Sequence, residues 1–193
     1  MDSTVIYVRR KKDLNRVISS RQQIADEGSL TVRAMEAEDL PAALELQAQN
    51  YPPFLIEDNQ AFASRLNVAA PYCLVALLDG TLVGYLLAHG WPRRSPPPVG
   101  KVLSNAELSE VLFIHDLSIG SIGRGLGIGL KLVERAFELA ARDGLRSAEL
   151  IAVEGAATYW ERFGFANVAI GQGLADKVAE YGAEARWMER EFE

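Results

Sequence analysis

One cysteine, Cys73, and two histidines are all that this 193-residue chain holds of thiol and imidazole. A disulfide within the chain is excluded, no Cys/His cluster has zinc spacing, and a reducing cytoplasm is the expected compartment. Long apolar runs are missing as well. Leu74 to Leu78 and Leu86 to Ala88 with their flanks fall far short of the roughly 20 residues that cross a bilayer. The start, MDSTVIYVRRKKD, has an apolar patch from Val5 to Val8 that runs straight into four basic residues, unlike a signal peptide. An excess of positive charge is absent too: 20 Lys and Arg face 26 Asp and Glu, for a net charge of -6. That sign does not suit a grip on nucleic acid or anionic lipid and does suit cationic partners. No nucleic acid, membrane or metal is expected among the partners.

What is present is 49% apolar residues at a length suited to one domain with one sizeable core. Residues 1–28 are polar and poorly periodic and read as an N-terminal extension, whereas 29–193 read as a single domain. The basic run from Arg9 to Lys12 is short enough to be a solvated tail. From Ser29 onward, strand and helix patterns alternate. Leu30 to Met35 is strand-like. Glu38 and Asp39 then open a helix bearing Leu40, Ala43, Leu44 and Leu46, which Pro52-Pro53 ends. Glu57 to Leu66 reads as a second helical stretch. Tyr72 to Leu78 and Thr81 to Ala88 form a hairpin about Asp79-Gly80. Trp91 to Gly100, with Pro92 and Pro96 to Pro98, must be irregular. VLFIHDLSI, from Val111 to Ile119, is a strand of the kind buried on both faces, interrupted by His115 and Asp116. A helix from about Gly127 to Arg142, a strand from Ala148 to Val153, a short helix from Ala156 to Phe163 and final strands over Phe165 to Ile170 and Arg186 to Arg190 complete an α/β (α+β) pattern.

Between the apolar strand and the long helix lies GSIGRGLGIG. A strand that turns through glycines into a helix presents backbone N–H groups where the helix dipole is positive, which makes an anion site. Gly125, Gly127 and Gly129 lack Cβ atoms and allow a pyrophosphate close to the chain, beside the permanent charge of Arg124. A turn that merely packs closely is the alternative. Two phosphate motifs fail on counting: G-x-G-x-x-G finds Leu130 at its third glycine, and the P-loop finds Lys131 followed by Leu132 rather than Ser or Thr.

Arg124-Gly125-Leu126-Gly127-Ile128-Gly129 resembles the R/Q-x-x-G-x-G/A motif of the GNAT superfamily of acyl-CoA N-acyltransferases. The resemblance extends to the opening strand with Arg33 and Asp39-Leu40, to Leu82-Val83-Gly84-Tyr85, to HDLSI and to ATYWERFGF from Ala157 to Phe165. It implies a mixed sheet of about six to seven strands, splayed between the fourth and fifth and flanked by about four helices, with acetyl-CoA as co-substrate. It further implies that the backbone of Leu117, Ser118 and Ile119 holds the pantetheine arm, and that the turn from Arg124 to Gly129 holds the diphosphate. The N–H of Leu117 would then stabilise charge on the thioester carbonyl.

The acceptor amine must lose a proton, and an alkylammonium of pKa about 10.4 costs about 4.6 kcal/mol to present neutral at pH 7. His115, two residues before Leu117 and so expected on the same strand face, is the candidate base. A core histidine satisfied by a backbone carbonyl is the alternative. Tyr51-Pro52-Pro53, the Glu57 helix, Gly84-Tyr85 and HDL resemble the arylalkylamine (serotonin-type) N-acetyltransferase branch, where a histidine stands at this place. In many relatives a tyrosine five residues before the last Phe reprotonates the thiolate. Trp160 stands there, able to pack on the cofactor but not to act as an ordinary acid, which leaves Tyr159 as the candidate acid. Glu154 replaces a frequent Asn. His89 and Trp91 are read either as lining an amine pocket with Glu57 or Asp58 or as packing under a loop. The expected function is N-acetylation of a small, cationic primary amine by direct attack, with no role for Cys73, in a monomer or homodimer. The alternatives are a non-catalytic acyl-CoA sensor and an acetyltransferase acting on a protein amine.

Overall fold

The structure is a computed structural model and describes residues 29–51, 56–68, 72–97, 100–104, 109–153 and 155–192. The expected extension over 1–28, the Pro52-Pro53 helix stop, Pro98 and Glu154 lie outside the described residues.

Seven strands form one sheet: β1 (Leu30–Ala34), β2 (Leu74–Leu78), β3 (Thr81–Trp91), β4 (Val111–Ile119), β5 (Ser147–Ala152), β6 (Ala166–Asn167) and β7 (Arg186–Glu191). Their spatial order is β1-β2-β3-β4-β5-β7-β6, antiparallel throughout except for the parallel pair β4·β5. The β2–β3 hairpin closes on Asp79 and Gly80, whose φ values of 50° and 78° give the left-handed pair that a two-residue turn requires. β3 runs three residues past the expected Ala88, because His89, Gly90 and Trp91 pair with Phe113, Leu112 and Val111. His89 and Trp91 are therefore strand residues rather than the entry to a loop.

Helices cover both faces. α3 (Ile128–Arg142) presents Ile128, Leu132, Val133, Ala136 and Ala140 to one face, where they pack with Leu86, Ala88, Leu112, Ile114 and Leu150, and with Trp160 of α4 (Ala157–Glu161). This burial of a continuous apolar stripe is what holds a 15-residue helix on the sheet. On the opposite face, α1 (Leu40–Asn50) and α2 (Asn59–Ser64) bring Ala43, Leu46 and Phe62 against Tyr85 and Leu87. Between Ile170 and Arg186, where the sequence pattern predicts no element, lies α5 (Gln172–Ala179), packing Leu174 and Val178 beside Tyr51, Phe113, Ile151 and Trp187. Val178 is its one fully buried residue, and Gly173 weakens its helical signal, so little in its eight residues announces a helix. Among the described residues, no helix is long and apolar enough to cross a membrane.

Two irregularities in β4 prepare a site. The parallel ladder with β5 covers only Leu112, Phe113 and Ile114 against Ala148, Glu149 and Leu150, so the strands part beyond Ile114 although both continue. On the other side, Leu87 pairs with Asp116 while Ala88 pairs with Ile114, which leaves His115 as the extra residue of a β-bulge.

Substituting Gly80 with Ala leaves its surroundings open but forces a Cβ onto φ 78°; the expected cost is about 1 kcal/mol of stability, read by urea denaturation.

Candidate active site

The glycine turn meets the first requirement of an anion cradle. Gly125 and Gly127 have φ of 83° and 71°, and a Cβ on either would meet no atom within 4 Å, so both peptide units border open space. Gly127 caps α3, whose ladder opens with Lys131 N donating to Gly127 O. The N–H groups of Ile128, Gly129 and Leu130 therefore stand outside the helical ladder. Two expected donors are used within the turn: Arg124 N bonds Ser121 O and Leu126 N bonds Gly123 O. The Arg124 guanidinium reaches back to Asn50 Oδ1 at 3.0 Å. Asn50, at the end of α1, in turn donates to Ser118 Oγ at 2.8 Å and to Ile119 O at 3.2 Å, tying α1 to β4 beside the cradle.

Along β4, Gly120 N donates to Val83 O. Antiparallel alternation then turns the peptide groups of Ser118 and Asp116 toward β3 and those of Leu117 and Ile119 toward the side that β5 has left. Leu117 and Ile119 thus present their peptide groups along the edge that leads into the glycine turn, with Ile119 O already accepting from Asn50 Nδ2.

The bulge corrects the expectation that His115 and Leu117 share a face. Leu117 packs in the α3 core, whereas His115 lies on the α1/α2 side with Arg65, Glu57 and His89. Arg65 follows α2 and is 1% exposed; its Nε–H donates to His115 Nε2 at 2.9 Å, and its terminal nitrogens donate to Glu57 Oε1 at 2.7 Å, Ser64 Oγ, Ala61 O and Lys101 O. Guanidinium has no acceptor, so the imidazole must accept through Nε2 and, when neutral, carries its proton on Nδ1. Burial, helped by the Arg65 charge, pushes His115 down to about 4. Its basic lone pair is thus already occupied, which removes the property that made it the candidate base.

The next residue has the opposite character. Asp116 is 2% exposed and accepts the hydroxyl protons of Tyr51 on Oδ1 and Tyr85 on Oδ2. Burial raises it to about 7 in spite of those bonds. The sequence reading noted Asp116 only as an interruption of the apolar run; the signal that could have exposed it is a carboxylate inside a strand buried on both faces.

A family model described as Acetyltransferase (GNAT) family matches residues 40–165, well over half of the chain. The chain belongs to this GNAT family. An uncharacterized N-acetyltransferase of Methanocaldococcus jannaschii is 38% identical over 85 residues, a match covering 39% of this chain and 38% of that relative's length. Arabidopsis thaliana Naa50, solved with the bisubstrate analogue CoA-Ac-MVNAL, superposes with a TM-score of 0.62 at 16% identity, over 85% of this chain and 99% of that one. N-acetylglutamate synthase of Neisseria gonorrhoeae, solved with coenzyme A and N-acetyl-glutamate, gives 0.59 at 12% identity over 88% of this chain and 36% of that one. At these identities the solved structures share the GNAT fold, including the mixed, splayed sheet.

The remaining GNAT-motif residues divide between groove and core. A Cβ on Gly129 would sit 2.4 Å from the Tyr159 hydroxyl and 3.8 Å from Leu117 Cδ2, so Tyr159 packs onto the start of α3 and the glycine at 129 makes room for it. Burial raises its pKa. Trp160, expected against the cofactor, is instead fully buried among Tyr159, Phe163 and Phe165, and its Nε1–H has no partner among the described residues. His89 is fully buried against the rings of Trp91 and Phe113, which is core packing. Asp58 caps α2 by accepting from Ala61 N. Neither carboxylate near α2 is thus an unengaged wall of an amine pocket.

Because the folded His115 has its pKa depressed from 6.5 to about 4, it contributes stability above the unfolded pKa and loses it as pH falls toward the folded one. Relative to His115→Gln, the native chain should lose about 3 kcal/mol between pH 6.5 and 4, measured by denaturation at each pH. The raised Asp116 acts in both chains and cancels from the difference.

Proposed function

We propose that this chain is an acetyl-CoA-dependent N-acetyltransferase that acetylates the primary amine of a small, cationic molecule by direct attack. The observation that carries the reading is the continuous run from the free edge of β4 into the glycine turn. The N–H groups of Gly125, Gly127, Ile128, Gly129 and Leu130 fit a diphosphate, and the edge of Leu117 to Ile119 fits a peptide-like pantetheine arm. Bound acetyl-CoA supplies the activated acyl carbon. The Leu117 N–H stabilises charge on its carbonyl oxygen, and the Tyr159 hydroxyl, packed onto Gly129 at the start of α3, is the donor beside the cradle.

The acceptor enters from the face opposite α3. There α5 and the segment with Val168 and Ile170 roof the gap between β4 and β5, leaving a void of about 10 Å³ lined by Phe113, Ile114, His115, Ile151 and Tyr181, room for one water. The net charge of -6 supports a cationic acceptor. His115 is not retained as the base.

The test follows release of the coenzyme A thiol and formation of acetylated product with phenethylamine, spermidine, glycinamide, glutamate and a short peptide. Phenethylamine examines the arylalkylamine resemblance and the peptide examines a protein acceptor. Coenzyme A should bind in calorimetry, and Gly127→Val, which fills the open space of the cradle and strains φ 71°, should weaken it about tenfold or more. Trp160 in place of the acid tyrosine favours the non-catalytic sensor as the second reading; binding without acetylated product from any amine would establish it.

A further inference from the structure

The two ionisable clusters on the α1/α2 face differ in what they can do with a proton. In the first, the Nε2 lone pair of His115 is held by the Arg65 Nε–H at 2.9 Å, and nothing basic is left to an incoming ammonium. In the second, each oxygen of the Asp116 carboxylate accepts a tyrosine hydroxyl. The two tyrosines are not equivalent. Tyr85 packs with Phe62 inside the α1/α2 core, with ring centroids 5.4 Å apart. Tyr51, at the C-terminal end of α1, shares an apolar cluster with Phe113 and with Ile151 and Val153, which follow the last β5 residue that β4 pairs with. Asp116 immediately precedes Leu117 on the strand edge beside that opening, and the Leu117 amide also lies against the Asp116 carboxyl.

Resting on the acetyltransferase reading, we propose that the proton of the acceptor ammonium leaves through the Tyr51 hydroxyl to the Asp116 carboxylate, with Tyr85 and Arg65 as positioning residues. The ammonium nitrogen gives a proton to the Tyr51 oxygen as Tyr51 passes its own to Asp116 Oδ1. The freed lone pair forms the C–N bond with the thioester carbon, and the C–S bond breaks with its electron pair on sulfur. The second nitrogen proton passes through water to that sulfur, giving the free thiol. Asp116 then returns its proton to solvent, so the net products are the amide, the thiol and one proton.

Groups facing the Asp116 carboxyl are Tyr51 from α1, Tyr85 from β3, the Leu117 amide and, at longer range, Glu57, which already pairs with Arg65. Burial outweighs the hydrogen bonds and raises Asp116 to about 7, while His115 lies at about 4. Three units are a thousandfold in proton affinity, in favour of the carboxylate.

The experiment measures kcat/KM from about pH 5.5 to 10 with acetyl-CoA and the best acceptor of the panel above, for the native chain, D116N, Y51F and H115Q, each with coenzyme A uptake by calorimetry. The native rate should level off above about pH 7, since bound ammonium loses its proton to the protein. With an alkylamine acceptor, whose own pKa is near 10.4, D116N and Y51F should fall about 100-fold at pH 7, lose the plateau and keep rising toward that pKa, with coenzyme A uptake unchanged. H115Q should keep the plateau. A D116N rate within about threefold of native on an unchanged plateau, or a plateau moved by H115Q alone, overturns the proposal. If D116N does not fold, Y51F decides, because it leaves the carboxylate in place. A native chain that acetylates no amine overturns the acetyltransferase reading and this relay with it, whereas active native protein with native-like variants overturns the relay alone.

Discussion

The extra residue at His115 governs the geometry of the site. In an unbroken strand, alternation would send His115 and Leu117 to one face and Asp116 to the other. With Leu87 opposite Asp116 and Ala88 opposite Ile114, His115 and Asp116 both face α1 and α2, and Leu117 stays with α3. The same stretch is where β4 loses β5, because pairing ends at Ile114 and a bulge bends the strand that carries it. One insertion thus turns two ionisable side chains to the α1/α2 face, beside the point where β5 departs, and keeps Leu117 on the α3 face.

Holding a guanidinium inside the sheet requires partners for its donors. Arg65, almost without exposure, has hydrogen bonds to His115, Glu57, Ser64 and two carbonyls. Ser64 Oγ also takes the amide of Leu103, so α2, the chain around Lys101 and β4 are joined through a single guanidinium. A buried charge is tolerated on these terms, and removing one partner of such a pair typically costs about 3–5 kcal/mol because the other is stranded. The neighbouring Tyr51–Asp116–Tyr85 group contains no cation, which is why burial moves its carboxylate up rather than down. Adjacent residues of one strand consequently titrate about three units apart, His115 near 4 and Asp116 near 7.

Local chemistry explains which elements were readable. Asp79-Gly80 specifies its hairpin because few other pairs accept left-handed backbone at both positions. The stripe of Ile128, Leu132, Ala136 and Ala140 specifies α3, and the glycines before it mark the cradle. α5 was hidden because it is short and buries little of itself, and the extension of β3 to Trp91 was hidden because its partner strand, not its own residues, sustains it. Trp160 stood out as a departure from a motif, but only packing revealed that its ring belongs to the core.

By itself, the order of residues determined the family resemblance, the glycine cradle, the strand that leads into it and the presence of one histidine and one aspartate before Leu117. These features are carried by spacing along a chain and by the intrinsic conformations of glycine and proline. Tertiary structure decided the surroundings of those two side chains. The bulge depends on the register between β3 and β4, and the proton affinities depend on Arg65, Tyr51 and Tyr85, which lie between 31 and 65 residues away. A pKa is a property of surroundings, and no spacing rule carries those surroundings until the chain has folded.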